Sequence, residues 1–380
     1  MRGVTDNIAN WAQSGVRWYF GAYTGVDALT ATTVELVARR ANRDRAWPAM
    51  LTLYFPGLDT IGHLHGPGSV QYRQAMENLD HHIGRVCRWL GQEGLASSTY
   101  LVLLADHGMV DVGNYIDLMT LVRDGWGRRP TDKMLQDGSP RDRRRYFDRF
   151  DTVVVHQDGR KASLHLAGPK GWDAPPDASA VHNLLTSVPR EQQLWNLPGI
   201  DLVTYLIDED EAILRSVRGE ARVSRRLTPN GPEYRYVPAP ADPLGYLEDA
   251  ELAAFVAAGF HPSRDWLAAT CRQEFPDLVA HLIPLLHEPR FGQVLVFPAP
   301  GYSFNREAGG HGGIRRAEMR VPMVFVGPGM APGAAVQYAR LTDVTPTLME
   351  LLGVVASPDY GLEGVSLVRE LVAASVNRSW

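Results

Sequence analysis

The sequence predicts an α/β fold, with parallel strands buried on both faces and a mixed α+β insertion. Three observations predict it. First, Met50-Leu-Thr-Leu-Tyr-Phe55, Leu101-Val-Leu-Leu-Ala105 and Gln293-Val-Leu-Val-Phe297 are short apolar runs that lead toward glycine-rich, polar loops. Such runs read as strands covered on both sides. Second, a helical periodicity lies between the first two runs, so residues 50–105 read as a parallel βαβ unit. Third, the texture changes after about Val112 to short alternating segments separated by turn residues, and the long apolar runs resume at Phe291. The expected organisation is therefore a core of residues 1–112 and 291–380, with 113–290 as an α+β insertion or cap.

Composition fits this class. The chain has 380 residues, 45% hydrophobic and 21% charged, enough for one large domain or two smaller ones. A net charge of −5 offers no basic surface for a nucleic-acid backbone or an anionic membrane. Cys87 and Cys271 lack metal-motif spacing and read as buried small hydrophobes rather than a disulfide. No stretch approaches the roughly 20 apolar residues of a membrane span. Met1-Arg-Gly-Val-Thr-Asp-Asn lacks a signal peptide's apolar core, so a cytoplasmic location is the default for the chain as given.

In chain order, residues 14–26 read as loop and short helix, and residues 30–42 as a helix with Val34, Leu36 and Val37 on its apolar side. The Met50 strand follows. Gly66-Pro-Gly-Ser69 is a turn in which Ser69 is placed to cap a helix. Tyr72, Met76, Leu79, Ile83, Val86 and Leu90 then recur at three- and four-residue steps, and Gly91 closes the pattern. In the insertion, Gln157-Asp158-Gly159 between two β-rich runs predicts a hairpin. Further short strands are expected at 202–207, 221–226 and 233–237, with helices at 178–186 and 249–258. Residues 321–326 form another buried strand, and residues 342–352 a helix with Pro346 in its first turn.

The apolar runs deliver a set of metal-type ligands to loops: Asp59 and His63, Asp106 and His107, and His311. Asp59 and His63 are spaced i, i+4, so one helical turn can aim both at one ion. Carboxylate with imidazole suits zinc, and also manganese or iron. Gly309-Gly-His311-Gly-Gly313 lets backbone approach a ligand closely. Each motif alone has an ordinary explanation, as a surface pair, a turn or a flexible loop; the three together, in this order after apolar strands, do not. His65 beside the first motif and Tyr302 before the glycine cluster are candidate substrate contacts, with solvent exposure and core packing as their respective alternatives. His81 and His82 read as surface or supporting residues, and the Arg141–Arg145 run as a solvated face.

Gly57-Leu-Asp59-Thr-Ile-Gly-His63-Leu-His-Gly-Pro, Ala105-Asp106-His107-Gly108-Met109 and Gly310-His311-Gly312-Gly313 resemble the alkaline phosphatase superfamily, closest to its type I phosphodiesterase/nucleotide pyrophosphatase branch. Arg320-Val-Pro-Met-Val-Phe-Val-Gly-Pro-Gly329 and Thr342-Asp-Val-Thr-Pro346-Thr-Leu348 resemble segments near that family's C-terminus. The resemblance implies a three-layer α/β sandwich with a central, mostly parallel sheet. It implies two divalent metal ions, zinc first and manganese or iron as alternatives. One ion would be held by Asp59, His63 and His311, the other by Asp106 and His107. The implied reaction is hydrolysis of a small-molecule phosphodiester, pyrophosphate or phosphomonoester, with the two ions clamping the attacking and leaving oxygens.

The family pattern also carries an Asp and a Thr or Ser nucleophile upstream of the Asp59-type motif. Only 58 residues precede Asp59, and no apolar strand ending in Asp is found in Met1 to Ala46, where Thr24 and Asp27 are the nearest candidates for the nucleophile and the acid. The expectation is therefore a chain without that segment, poor in turnover. A phosphomutase or sulfatase on the same scaffold, and a non-catalytic metal-binding relative, stay open as alternatives. The oligomeric state is not legible.

Overall fold

A computed structural model describes residues 23–44, 47–133 and 139–373. The chain forms two compact units, Met1–Asp106 with Val321–Trp380, and His107–Arg320. Both mix helix and strand, and the fold is α/β as the sequence predicts.

In the first unit, helix α1 spans Tyr23–Asp44, α2 spans Gly57–His65 and α3 spans Val70–Gln92. The start of α3 follows from Ser69, whose backbone stays extended while its hydroxyl accepts a hydrogen bond from the Tyr72 N–H. The buried stripe of α3 is Ala75, His82 and Val86. Met76, expected inside, is exposed, and His82, expected at the surface or in a supporting position, is buried. The reason lies in neighbours: α3 packs against both α1 and α2, so its covered arc is set by two contacts rather than one. Burial first, and then the Arg85 and His81 charges, hold the His82 imidazole below its ordinary pKa.

The expected parallel βαβ unit is not what the described residues form. Residues 50–56 adopt no strand, and Met50 is 61% exposed. Strand β1, Leu101–Leu104, pairs with the strand Met323–Val326, but antiparallel, with Leu101 opposite Val326. Leu103, Leu104, Val324 and Val326 are exposed rather than buried on both faces. A two-stranded ribbon has no flanking strands to make it a sheet interior, so an apolar run alone does not guarantee burial. Cys87 is exposed and Cys271 half-buried, against the expectation of two buried thiols. The helix Val344–Leu351 carries Pro346 in its first turn as expected.

The second unit is built on a nine-stranded sheet. Its strands are β3 (Pro130–Thr131), β4 (Thr152–Gln157), β5 (Lys161–Leu166), β6 (Ile200–Leu206), β7 (Glu211–Arg215), β8 (Glu220–Thr228), β9 (Gly231–Ala239), β10 (His261–Pro262) and β11 (Val294–Pro298). The order is β10-β9-β8-β7-β6-β11-β5-β4-β3, antiparallel throughout except for β3 beside β4. The hairpin at Gln157-Asp158-Gly159 forms as the turn residues predict, with Asp158 and Gly159 both at positive φ.

Strand β11 is apolar on both faces, and its neighbours account for that. Val294 and Val296 face a core built around Leu164, Tyr205 and Leu194, while Leu295 and Phe297 face one built around Trp266, Tyr246 and Leu282. A strand with apolar groups on both faces belongs in the middle of a covered sheet. It finds that place between β5 and β6, within the 107–320 unit, and not with the flanking segments. The mostly parallel sheet expected from the family is correspondingly not seen among the described pairings.

Two imidazoles in this unit make its stability pH-dependent. Burial lowers the pKa of His156 and of His165, with the Asp132 and Asp117 charges partly offsetting it at His156. Below the ordinary value of about 6.5 the unfolded chain takes up protons that the folded one refuses, so stability falls as pH falls through that value. The urea midpoint should drop between pH 7 and 5, and His156→Gln should flatten part of that slope. An unchanged slope in the variant would remove His156 from the account.

Candidate metal centre

In the first unit the site is carried by α2. Asp59 and His63 lie one turn apart, with His63 Nε2 3.4 Å from Asp59 Oδ1. The start of α2 is fixed from α1: the Gly57 N–H donates to Oδ1 of the buried Asp27 at 3.1 Å. A Cβ at position 57 would lie 2.0 Å from the Asp27 carboxylate, so only glycine allows this approach. Gly66, at φ 78°, ends the helix, and its N–H donates to the Gly62 carbonyl. Burial and the Asp59 charge together push the Tyr72 hydroxyl above its ordinary pKa, which places this α3 side chain within the electrostatic reach of Asp59. His65, the last residue of α2, is exposed, and so is Asp106, just past the end of β1. Thr24 falls in the first turn of α1, and its side chain lies outside the described residues.

In the second unit a small sheet assembles the other imidazoles. Strand β2, Val110–Tyr115, pairs antiparallel with the Gly309–Gly310 strand, Val110 opposite Gly310. That register brings His107, before β2, next to His311, just after Gly310. The two rings stack with centroids 3.5 Å apart and planes 9° from parallel. His107 Nδ1 lies 3.1 Å from the Gly108 carbonyl oxygen. The His311 N–H donates to the Asp158 carbonyl at 3.0 Å, and Nδ1 of His311 lies 4.0 Å from the Asp158 carboxylate. Tyr302 is half-buried and packs with the Leu164–Tyr205 core, its ring where a Cβ on Gly199 would sit. Phe304 is buried and stacks on His156.

The structure thus brings Asp59 to His63, and His107 to His311, each pair inside one unit. Sequence reading missed three residues around the second pair. Asp158 reads only as a turn residue, and nothing in the sequence singles out Arg160 or Glu318, yet the two form an ion pair with side chains only 2% and 1% exposed. The sequence signal available for it is indirect: glycines at 108 and 313, where any Cβ would collide with the 317–318 segment.

The donor chemistry fits a divalent cation. Carboxylate and neutral imidazole are the ligand types of zinc and its neighbours. No helix among the described residues is long and apolar enough to cross a membrane.

Comparison with known proteins bears on this set. The sequence model of the type I phosphodiesterase / nucleotide pyrophosphatase family matches residues 7–177, a span holding Asp59, His63, Asp106 and His107. A venom phosphodiesterase of Macrovipera lebetinus is 28% identical over 171 residues, 44% of this chain and 19% of its own. GPI ethanolamine phosphate transferase 2 of Debaryomyces hansenii is 36% identical over 104 residues, 26% of this chain and 11% of its own. Among solved structures, the alkaline phosphatase PafA matches over 84% of this chain and 47% of its own, at 15% identity and TM-score 0.48. The chain therefore spans less than half the length of each of these relatives.

Proposed function

We propose that this chain is a member of the alkaline phosphatase superfamily and hydrolyses phosphodiester or pyrophosphate bonds of a small-molecule substrate with the help of bound divalent cations. The observation that carries the reading is the family match across the Asp59/His63 and Asp106/His107 motifs, joined to a geometry that holds carboxylate and imidazole, and imidazole and imidazole, in pairs. Following the motif order, Asp59, His63 and His311 would hold one cation, and Asp106 and His107 a second, zinc being the ion these donors suit first.

When bound, such ions stabilise charge on the oxygens around phosphorus. The chain's own part is positional. The helix α2 fixes two ligand side chains on one face, because residues four apart lie over one another on a helix. The β2 pairing fixes two imidazoles side by side. The Tyr72 hydroxyl keeps its proton beside Asp59, so it is available as a hydrogen-bond donor to an anionic phosphate oxygen rather than as a base.

The test is hydrolysis of bis(p-nitrophenyl) phosphate, p-nitrophenyl phosphate and p-nitrophenyl sulfate by the 380-residue chain with zinc or manganese. Expected is diester cleavage faster than monoester cleavage, abolished by chelator and restored by either metal. Faster sulfate cleavage would move the chain to a sulfatase. Tight zinc uptake without turnover on any of the three would make it a metal-binding relative.

A further inference from the structure

The turn of the β4–β5 hairpin sends three consecutive residues into the segment that carries His311. The Asp158 carbonyl accepts the His311 N–H (3.0 Å), and the Gly159 carbonyl accepts the Phe304 N–H (2.8 Å). The Arg160 side chain then spreads its guanidinium beneath the same segment. Nη1 donates to the carbonyls of Ala299 and Tyr302, while Nε and Nη2 reach Oε1 and Oε2 of Glu318 at 3.1 and 3.3 Å.

Glu318 closes the arrangement on both imidazole loops. Its Oε1 accepts the Gly313 N–H at 3.0 Å, and its backbone carbonyl accepts the Gly108 N–H at 2.8 Å. Gly313 follows His311 by two residues, and Gly108 directly follows His107. Neither glycine tolerates a side chain: a Cβ at 313 would lie 2.4 Å from the Glu318 carboxylate, and one at 108 would lie 2.2 Å from the Ala317 carbonyl oxygen.

A glycine-rich loop has the most backbone freedom to lose, and no side chains of its own with which to fix itself. An ion pair buried this deeply is a poor source of stability compared with apolar packing. What it supplies is direction, because the planar guanidinium presents its donors in a fixed fork that lysine cannot copy. We propose that Arg160 and Glu318 are positioning residues that set the stacked placement of His107 and His311, and through it the affinity for metal.

This rests on the metal reading of those histidines, and the two are separable by experiment. The test uses the full chain, with zinc affinity measured by competition against a chromophoric chelator and histidine ring signals followed by NMR without metal. Glu318→Gln keeps the shape of the side chain and removes its charge. It should weaken zinc binding about 10–100-fold, the usual effect of a group that orients a ligand. It should raise the zinc concentration needed for half-maximal turnover while leaving kcat at saturating zinc within a few-fold, and it should shift the His107 and His311 ring signals together. In a His311→Ala background the same change should weaken zinc no further. If single variants fail to fold, the doubly neutral Arg160→Gln/Glu318→Gln chain leaves no buried charge unpaired and carries the same expectations. Wild-type zinc affinity with unmoved ring signals in Glu318→Gln overturns the proposal, and so does a loss that adds fully to that of His311→Ala. A wild-type chain that takes up no zinc refutes the metal reading, while the ring signals still decide the positioning role.

Discussion

His63→Ala and His311→Ala should each lower phosphodiester turnover by roughly 1,000-fold at a fixed, sub-saturating zinc concentration, about 4 kcal/mol of lost transition-state stabilisation. A residue that only orients a ligand is worth about 10–100-fold, and removing the ligand itself must exceed that. On the proposed ligand set, either change would leave two donors, below the three or four that a stable zinc site requires. The two variants act from different units of the chain, His63 on α2 and His311 after the second glycine of its cluster. If both serve one ion, the double variant should be no worse than either single variant, because the ion is already lost. His281→Ala, an exposed imidazole paired with Asp277 at 3.0 Å, is the matched control and should leave turnover unchanged. Turnover that survives in His63→Ala, or losses that multiply in the double variant, would break the shared-ion reading.

What the sequence discloses of this molecule divides by the range of the interaction. Ser69 as a helix cap, the Asp158-Gly159 turn, and Asp59 over His63 are all decided within a few residues, and the local chemistry that decides them is visible in the letters. The direction and depth of strands are not local. Leu101–Leu104 and Val294–Pro298 are equally apolar as sequence. One lies in an exposed antiparallel ribbon and the other at the centre of a covered nine-stranded sheet, because burial is set by which strands stand beside them. The same holds for the ion pair. Arg160 and Glu318 are 158 residues apart, and the unpatterned stretches around them give neither away. Gly313 belongs to the cluster expected to let backbone approach a ligand, yet in the structure it is room for the Glu318 carboxylate, and Gly108 is room for the Ala317–Glu318 backbone.

That ion pair carries the largest single-site effect on folding. Glu318→Met leaves the Arg160 guanidinium buried without its counter-charge, and removing one member of such a pair costs about 3–5 kcal/mol. Arg160→Met strands the Glu318 carboxylate to the same extent, and also deprives the carbonyls of Ala299 and Tyr302 of a donor. Together the two losses would amount to most of the stability of an ordinary domain, about 5–15 kcal/mol. They should not add. Arg160→Met/Glu318→Met contains no buried charge, so its cost reduces to the unmade hydrogen bonds of Gly313, Ala299 and Tyr302, about 1–3 kcal/mol for each group left dry. The double variant should therefore unfold at a urea concentration well above the one that the two single variants predict by addition. The measurement is urea unfolding of all four chains, read by a probe in the 107–320 unit such as the fluorescence of the buried Trp266. Additive losses would mean that the two charges are each satisfied by something other than the other. The fork geometry joining the hairpin turn to the glycine cluster would then not be what holds the two segments together.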